Sequence, residues 1–458
     1  MGEPRLRADR SSSGEEAPTG ATFPDEVLAH ALHSPDDFFD ELVFFNDAQI
    51  SARLGCPHAS GEENNFACFY MFSLFGLLLN NVSTSRRFDP AADCWAVRRP
   101  LPADYGRPWC IRKGREPSWL AQQFPKPWPK LSGTTLVMGD ASGPNPTHAL
   151  NLNFYHMYRW MNKVSVPMGT LHMIFDTAAD EGYTPGQYGE GLAAAFGHNH
   201  GLLRNMPPVT QLQRVKFSVG GGFQFDMNML QSDTPVLCNY LQMAAHVLKH
   251  YKLKPFQEAD PKRILIATRK ESESRRLLGA EGVAASLSSM GYNVTMATMG
   301  DLSFEQQLHL VADAKALVGV HGSDLVSMLF MPFRAAIVEI FPTVMGVPAY
   351  NPELANQARN YGKVLRSYYS PFNATLYLDE ATGKPVDAPP VRQSRLVPVD
   401  EGGLVAAIQG TIKASDETMF QGLRVAAAST GSGIVCKYDR PVPSGILYGC
   451  DSPEYRGC

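Results

Sequence analysis

The residues best suited to bind an anion form a tight turn, Val320-His321-Gly322-Ser323-Asp324. The apolar run ALVGV that leads into the turn predicts a strand, and the apolar spacing after it predicts a helix. Such a turn lies at the carboxyl edge of a parallel sheet, where ligands bind. Its histidine can donate a hydrogen bond, and free backbone N–H groups at a helix start favour a phosphate. The turn therefore predicts a site for a nucleotide diphosphate.

Two charged residues elsewhere in the chain are candidates for the same site. Arg269 directly follows the strand predicted at 263–268, so its guanidinium also lies at the carboxyl edge and can hold a phosphate through two hydrogen bonds. The alternative for Arg269 is a surface ion pair with a nearby glutamate. Glu339 lies within the apolar run AAIVEIF. A charge there is costly unless it has a partner, and a carboxylate at a strand end can accept hydrogen bonds from both ribose hydroxyls.

A layered α/β fold would position these residues. From Thr134 onward, predicted strands alternate with predicted helices, which indicates parallel βα units. Ser303 and Gln306 have the spacing of a capping box at the start of the helix before the central strand. The predicted strands are 134–138, 171–175, 215–219, 263–268, 293–297, 316–320, 336–340 and 364–369. The predicted helices are 148–161, 188–196, 236–251, 280–290, 353–361 and 404–413.

The order of these elements predicts two Rossmann-like domains that face a cleft, after an irregular N-terminal region rich in cysteine and proline. A stretch with four prolines at 379–400 is predicted to be a loop. The predicted divisions are a disordered lead at 1–24, the irregular region at 25–130, an N-terminal Rossmann-like domain at 131–253, a linker at 254–261, a C-terminal Rossmann-like domain at 262–428 and a cysteine-containing tail at 429–458.

Composition limits the class of protein. The chain has 458 residues, enough for two or three domains, and its 44% hydrophobic and 19% charged residues are ordinary for a globular protein. A net charge of −4 without a long basic run argues against a general nucleic-acid binder. Four of the eight cysteines precede residue 111, three follow residue 435, and none forms a CxxC pair. This distribution suits disulfides in an oxidising compartment, with buried free thiols as the alternative.

Three N-glycosylation sequons, at Asn81, Asn293 and Asn373, also favour a secretory compartment. Asn293 adjoins a predicted strand and is the weakest acceptor of the three. The longest apolar run, Phe66–Leu79, has 14 residues. That is short for a membrane span, so we interpret the run as a core segment, with a signal anchor as the alternative. The N-terminus is polar and lacks the apolar core of a signal peptide.

The stretch Ser303–Pro342 resembles the signature of glycosyltransferase family 61, LVGVHGAGLTNMLFMPPGAAVVEIFP. It stands here as LVGVHGSDLVSMLFMP over 317–332 and AAIVEIFP over 335–342. By contrast, the chain has no GxGxxG, Walker A or HExxH motif, and the glycines at 220–222 are interpreted as a turn. A continuous match of this length is far more specific than any of those short motifs.

The family's upstream segment, SR…RR(I/L)LN, resembles Thr268-Arg269 followed by Arg275-Arg276-Leu277-Leu278. This match adds Arg276 to the donor candidates, with a position on a helix face as its alternative. Together with Arg269, the turn at 321–324 and Glu339, it makes up the donor half of the site that the resemblance implies.

The resemblance implies a GT-B fold and an inverting, metal-independent transfer. The donor would be a UDP-sugar, with xylose or N-acetylglucosamine as the sugar, and the acceptor would be a hydroxyl of a glycan or glycoprotein. No metal or other cofactor is expected, because positive side chains and helix N-termini can neutralise a diphosphate leaving group. The expected location is the lumen of the Golgi or endoplasmic reticulum, with a membrane contact only through an N-terminal type II anchor.

The resemblance also implies that the catalytic base comes from the N-terminal half. His148 matches the histidine of a family pattern, HF-x-x-D, but Asn151 replaces the carboxylate; a helix-start histidine is its alternative role. Asp140 and Asp176, each ending a predicted strand, are further candidates, with turn and N-cap roles as the alternative. The His198-Asn-His200 pair lacks a third ligand, so no metal site is predicted.

The chain departs from the family pattern at two points. Ser323-Asp324 replaces Ala-Gly and brings a negative charge beside the expected diphosphate, and Gly279 stands where the family has Asn. The first departure, with Asn151, motivates an alternative function: a catalytically weak or inactive protein that binds a nucleotide or glycan. A sugar-nucleotide epimerase is a second alternative, but it would need a pair of carboxylates around the anomeric carbon, and no such pair is evident.

Overall fold

Strands of this chain build two large sheets with helices packed against them. The computed structural model describes residues 39–45, 68–71, 95–97, 109–113, 116, 118–139, 145–155, 157–158, 161, 169–176, 186–218, 234–270, 274–349, 353–376, 378–379, 383–386, 393–417, 423–427 and 434–438.

The strands are numbered in chain order. They are β1 (Phe39–Phe45), β2 (Cys68–Met71), β3 (Trp95–Val97), β4 (Trp109–Lys113), β5 (Lys130–Gly139), β6 (Leu171–Asp176), β7 (Gly197–Leu202), β8 (Val209–Ser218), β9 (Asp260–Thr268), β10 (Arg276–Leu278), β11 (Asn293–Thr298), β12 (Ala314–Val320), β13 (Ala336–Val344), β14 (Val347–Pro348), β15 (Val364–Asn373), β16 (Thr375–Leu376), β17 (Ser394–Pro398), β18 (Leu423–Ala427) and β19 (Ile434–Tyr438).

The α-helices are α1 (Ser118–Gln123), α2 (Pro146–His148), α3 (Gly186–Phe196), α4 (Thr234–His250), α5 (Ala280–Ser289), α6 (Phe304–Val311), α7 (Glu353–Asn360) and α8 (Glu401–Glu417). A π-helix at Ala149–Phe154 continues α2, and 3-10 helices lie at Leu203–Asn205, Met299–Asp301 and Ser323–Phe330.

The first sheet has eight strands in the order β3-β4-β2-β1-β8-β5-β6-β7. Strands β8, β5, β6 and β7 run parallel to one another. This arrangement confirms the parallel βα units predicted from Thr134 onward. The other half of the sheet is mixed, because β1 pairs antiparallel with both β8 and β2, whereas β2 pairs parallel with β4.

The N-terminal region is more regular than predicted. Residues 25–130 were expected to be irregular, yet β1 to β4 lie within that range and extend the first sheet. The sequence signal is weak because Leu42, Val43, Phe44 and Phe45 of β1 are all buried. A strand that is buried on both faces lacks the alternation of apolar and polar residues by which strands are recognised.

The second sheet contains the parallel strands β11, β9, β12, β13 and β15 in that spatial order. The short strand β14 folds back antiparallel on β13. Counted along the chain, the parallel strands have the order 2-1-3-4-5, a doubly wound arrangement in which the direction of winding reverses between β9 and β12. The reversal opens a crevice at the carboxyl ends of these two strands.

Alternating side chains of the second sheet contribute to two cores. Ile264, Val318 and Val338 belong to a cluster that also contains residues of α5 and α8. Leu265 and Leu317 belong to a second cluster on the other face, because successive strand residues point to opposite sides. Burial on both faces explains why β12 is apolar apart from Lys315, as is typical of a parallel strand covered by helices.

The second cluster joins the two sheets. It contains Tyr155, Leu192 and Phe196 from the N-terminal part together with residues of the 3-10 helix Ser323–Phe330. At the junction, Phe304 packs edge-on against Tyr188, with ring centroids 4.8 Å apart.

Helix starts and ends follow local signals. Ser303 and Gln306 form the predicted capping box that begins α6: Ser303 N donates to Gln306 Oε1 over 2.8 Å, and Gln306 N donates to Ser303 Oγ over 3.2 Å. Gly291 and Gly362 follow α5 and α7 in left-handed conformations, with φ of 88° and 65°.

Several local predictions need correction. The loop predicted at 379–400 contains β17, which joins a small sheet with β10 and β16. The segment His198-Asn-His200 lies in strand β7, where no strand was predicted. The helix predicted after the His321 turn is a 3-10 helix. Asn293, the sequon ranked weakest, is exposed at the start of the edge strand β11, and Asn373 is exposed as well.

Other predictions fall wholly or partly outside the described residues. The lead at 1–24, the glycines at 220–222, Asp140 and Asn81 lie there. Of the apolar run Phe66–Leu79, the structure describes Cys68–Met71, which forms β2. No helix among the described residues is both long and apolar enough to cross a bilayer.

Candidate functional site

The crevice between β9 and β12 brings together most of the residues predicted to bind an anion. Arg269 follows Thr268, the last residue of β9, and His321 follows Val320, the last residue of β12. The two strands are parallel neighbours, so both residues lie at the same edge of the sheet. Ligands of doubly wound sheets bind at this reversal point. The position of the site thus follows from strand order.

Arg269 is engaged by an acidic residue of the turn itself. Its Nε donates to Asp324 Oδ2 over 2.7 Å, and its Nη2 lies 2.5 Å from the same oxygen. The side chains of Arg269 and Asp324 are 12% and 20% exposed, so the pair sits at the boundary between the crevice and the interior. The alternative partners considered for Arg269, Glu271 and Glu273, lie outside the described residues.

A second guanidinium, that of Arg275, converges on the same turn. Its Nη1 donates to the backbone oxygen of His321 over 2.9 Å. A Cβ atom added to Gly322 would lie 2.8 Å from Arg269 Nη2 and 2.9 Å from Arg275 Nη1. Gly322 thus permits both guanidinium groups to approach the backbone closely.

Sequence reasoning selected Arg276 rather than Arg275 for this site. Arg276 begins β10, where it pairs with Leu396 of β17. Arg275 has a φ of 65°, in the left-handed region that residues other than glycine rarely adopt. Arg275 adopts this conformation directly before β10, and in it the side chain donates to the backbone oxygen of His321. The family segment does contain both arginines, so it could have pointed to either.

His321 is held by Glu339 on the neighbouring strand β13. His321 Nδ1 lies 2.5 Å from Glu339 Oε1, and the His321 side chain is 10% exposed whereas that of Glu339 is fully buried. The His321 ring stacks on Phe341, with centroids 5.3 Å apart. Its backbone N–H donates to Ile340 O over 2.9 Å, so the ring and the main chain are both fixed.

The burial of Glu339 changes its expected role. A fully buried carboxylate bonded to His321 does not face the crevice, as direct contact with ribose hydroxyls would require. A carboxylate only accepts hydrogen bonds, so the proton between the two residues belongs to Nδ1 of the imidazole. Nε2 of His321 is then the nitrogen that remains for a ligand. Glu339 is best described as a positioning residue for His321.

The remaining turn residues begin the 3-10 helix. Gly322 is the residue before its start, and Ser323 and Asp324 lie in its first turn. Asp324 therefore combines both roles considered from the sequence: it is an acidic residue at a helix start, and its charge lies beside the expected anion.

The candidates for the base are described only in part. His148 is the last residue of α2, and Asp176 is the last residue of β6; the structure does not describe their side chains. Helix α2 lies against the 3-10 helix Ser323–Phe330, with Cα atoms within 8 Å. The main chain at His148 is therefore near the elements that carry the turn. Asp176 pairs with Gly139, the residue before Asp140, on neighbouring strands.

A histidine of β7 packs against a histidine of the neighbouring strand β6. His172 on β6 donates from Nε2 to Ser132 O over 2.7 Å, and its Nδ1 lies 2.6 Å from Asn199 Oδ1. His198 packs edge-on against it, with centroids 6.0 Å apart. Within the described part of the chain, no group of three or more His, Cys, Asp or Glu residues is arranged to hold a metal ion.

Comparison with known proteins matches this region. Residues 154–338 match the sequence model of the family Glycosyltransferase 61. The matched range includes Arg269, Arg275 and the His321 turn and ends one residue before Glu339.

Individual relatives are similar over shorter segments. The beta-1,2-xylosyltransferase XAX1 of Oryza sativa subsp. japonica is 39% identical over 80 residues, which cover 18% of this chain and 14% of the relative. Protein O-linked-mannose beta-1,4-N-acetylglucosaminyltransferase 2 of Bos taurus is 32% identical over 118 residues, which cover 25% of this chain and 20% of the relative. Its Homo sapiens counterpart is 32% identical over 90 residues, 19% of this chain and 15% of the relative.

These alignments span a fifth or less of each relative's length. The family match itself is longer and encloses the elements that build the crevice. It agrees with the resemblance of the His321 turn and its flanking strands. Residues 154–338 of this chain are therefore similar to a glycosyltransferase 61 domain.

Proposed function

We propose that this chain is an inverting, metal-independent glycosyltransferase that moves a sugar from a UDP-sugar to a hydroxyl of a glycan or glycoprotein. Xylose and N-acetylglucosamine are the proposed sugars, since the names of the relatives contain xylosyltransferase and N-acetylglucosaminyltransferase. The observation that carries the proposal is the convergence of the Arg269 and Arg275 guanidinium groups on Gly322, beside His321.

A departing nucleoside diphosphate carries negative charge that the site must stabilise. Two guanidinium groups can do so through charge-assisted hydrogen bonds, which are shorter and stronger than those between neutral groups. His321 adds a group that is already oriented by Glu339, so no reorganisation is needed when charge develops on the leaving group. This chemistry uses protein cations in place of a divalent metal ion.

His321 has one nitrogen available for this purpose. With Nδ1 held by Glu339, a neutral imidazole offers Nε2 as an acceptor, and an imidazolium offers it as a donor to a phosphate oxygen. We propose the donor role, because a phosphate oxygen accepts hydrogen bonds.

In this proposal the N-terminal sheet carries the part of the site that binds the acceptor. We propose that the two sheets are the two halves of a GT-B arrangement, with the base supplied by His148, Asp140 or Asp176. Support comes from the nearness of α2 to the 3-10 helix, and from β5 and β6 ending side by side.

We propose the lumen of the Golgi or endoplasmic reticulum as the location, with a type II anchor. The exposure of Asn293 and Asn373 within sequons supports a compartment in which N-glycans are added. Cysteines near both ends of the sequence are in keeping with an oxidising environment.

A second candidate function is nucleotide or glycan binding without efficient turnover. One specific observation favours it: Asp324 occupies Arg269 with both hydrogen bonds directed to a single carboxylate oxygen. A phosphate would have to compete with that carboxylate.

One experiment tests the function and separates the two candidates. UDP binding is measured by calorimetry, and UDP release is measured with a panel of UDP-sugars and glycan acceptors. Arg275→Met should weaken UDP binding by about 10-fold or more, because hydrogen bonds to charged groups contribute about 1.5–3 kcal/mol. Arg263→Met is the matched control. Arg263 lies on β9, the strand that precedes Arg269, but far from the carboxyl end of that strand, and it forms an ion pair with Asp313.

The outcomes are distinct. Transfer that depends on Arg275 supports the glycosyltransferase. Tight UDP binding without release of UDP from any UDP-sugar supports the second candidate. Absence of UDP binding in the wild-type protein and in every variant contradicts both.

A further inference from the structure

Arg269 and Asp324 form an unusual pair for a phosphate site. The guanidinium uses Nε and Nη2, the edge that commonly grips an anionic ligand, to hold one oxygen of Asp324. The carboxylate therefore occupies the position in which a phosphate oxygen would be bound by the same two groups.

The surroundings show that this contact is part of the site. Arg269 Nη2 also lies 2.8 Å from the position that a Cβ of Gly322 would take, so the pair is next to the turn. Arg269 Nη1 is 3.4 Å from the backbone oxygen of Ser274, which fixes the far side of the guanidinium. The edge facing Asp324 is thus the edge that a ligand would need.

Arg275 is held differently. It donates to a backbone oxygen, that of His321. The Arg275 guanidinium thus contacts the main chain of the turn, at the oxygen of His321 and beside Gly322.

We infer that Asp324 is an internal competitor for the donor: its carboxylate stands in for a phosphate on Arg269 and must be displaced before the diphosphate is fully bound. The inference rests on the proposed function and adds a regulation of the same site. Displacement is local, because Asp324 lies in the first turn of the 3-10 helix and its side chain is 20% exposed.

Two consequences follow from electrostatics. The carboxylate lowers the affinity for ligands that carry phosphate and leaves the affinity for uncharged ligands nearly unchanged. Its effect also requires Arg269, because a competitor has no influence once the group it competes for is removed. General repulsion between Asp324 and a phosphate would persist without Arg269.

The test measures UDP and uridine binding for Asp324→Asn and Asp324→Gly, each in the wild-type and the Arg269→Met background. We expect the dissociation constant for UDP to fall by about 10-fold in the first background, within the usual range of coupling between sites. Uridine binding should stay unchanged. In the Arg269→Met background the gain should vanish, which a double-mutant cycle measures directly.

Asp313→Asn is the matched control, because Asp313 forms an Arg–Asp ion pair of 2.5 Å with Arg263, away from the site. It removes the same charge and should leave UDP affinity unchanged. Two Asp324 variants are used so that, if one of them does not fold, the other still tests the inference.

Failure of the inference is distinguishable from failure of the proposed function. If UDP binds and its affinity depends on Arg275, but Asp324→Asn and Asp324→Gly bind UDP no more tightly than the wild type, the inference is wrong and the donor site stands. A gain that survives in the Arg269→Met background also overturns it. If no variant binds UDP, the proposed function itself is wrong.

Discussion

His321 and Glu339 are 18 positions apart in the chain, yet Nδ1 of the first lies 2.5 Å from Oε1 of the second. The contact follows from register: Gly319 of β12 pairs with Glu339 of β13, and His321 comes just beyond the end of β12. A carboxylate in an otherwise apolar strand is thus tolerated because it has a buried partner.

This pair predicts separate effects on folding and on chemistry. Glu339→Gln retains an acceptor oxygen for the Nδ1 proton, so the variant should fold. UDP-sugar turnover should fall by about 10- to 100-fold, because a neutral amide forms a weaker hydrogen bond to the imidazole than a carboxylate does and so orients it less firmly. Thermal unfolding and UDP release, measured on the same preparation, check both statements. A folded Glu339→Gln protein with wild-type turnover would show that Glu339 does not act through His321.

The junction between the two sheets has no room at Gly191. A Cβ atom added to Gly191 would lie 2.3–2.4 Å from three side-chain atoms of Phe304. One of these is the Cβ of Phe304, which cannot move by side-chain rotation, so helix α6 would have to shift. We expect Gly191→Ala to lower the free energy of unfolding by about 1–3 kcal/mol, the usual cost of overpacking. Denaturant titration measures the change.

The control for this substitution is Gly410→Ala in the middle of α8, where the nearest atom would lie at an ordinary 3.5 Å. That variant should be stabilised by up to about 1 kcal/mol, because alanine is the better helix former. Equal shifts of the same sign in both variants would contradict the close packing at Gly191.

Lys363 predicts a pH dependence of stability. It is fully buried, and its Nζ donates to the backbone oxygens of Met331 and Pro332 over 2.7 and 3.1 Å. Burial lowers the pKa of Lys363 well below its ordinary value of 10.5. Between the lowered pKa and 10.5 the unfolded chain binds more protons than the folded chain, so this residue makes the free energy of unfolding rise with pH.

Lys363→Met should remove that rise, and Lys363→Gln, which keeps a donor, should remove it as well. Denaturant unfolding of the three proteins at several pH values from neutral to mildly alkaline measures the slopes. Parallel curves for the wild type and both variants would mean that Lys363 keeps an ordinary pKa in the folded protein.

Two cysteines are brought together by strand pairing. Cys68 of β2 and Cys110 of β4 are register partners. Neighbouring strands lie about 4.7–4.9 Å apart, within the Cα separation of about 4.4–6.8 Å that disulfides span. We predict a disulfide between them in protein secreted from eukaryotic cells. Peptide mapping without reduction should recover the cross-linked pair, whereas alkylation of both as free thiols would contradict the bond.

The sequence by itself determined the local elements of the C-terminal part and the location of the turn. Apolar runs such as ALVGV and the capping box at Ser303 are local signals, and the structure has the strand and the helix that they predict. The His321 turn was identified by its position between a strand and a helix, and the family match confirms the resemblance that it carries.

Only the tertiary structure decided which groups meet there. Strand order puts Arg269 beside His321, register puts Glu339 behind the imidazole, and the left-handed conformation of Arg275 accompanies its contact with the turn, where Arg276 had been expected. The sequence likewise did not determine the pairing of Arg269 with Asp324, because these residues are 55 positions apart. Such contacts depend on long-range packing, and no local propensity encodes them.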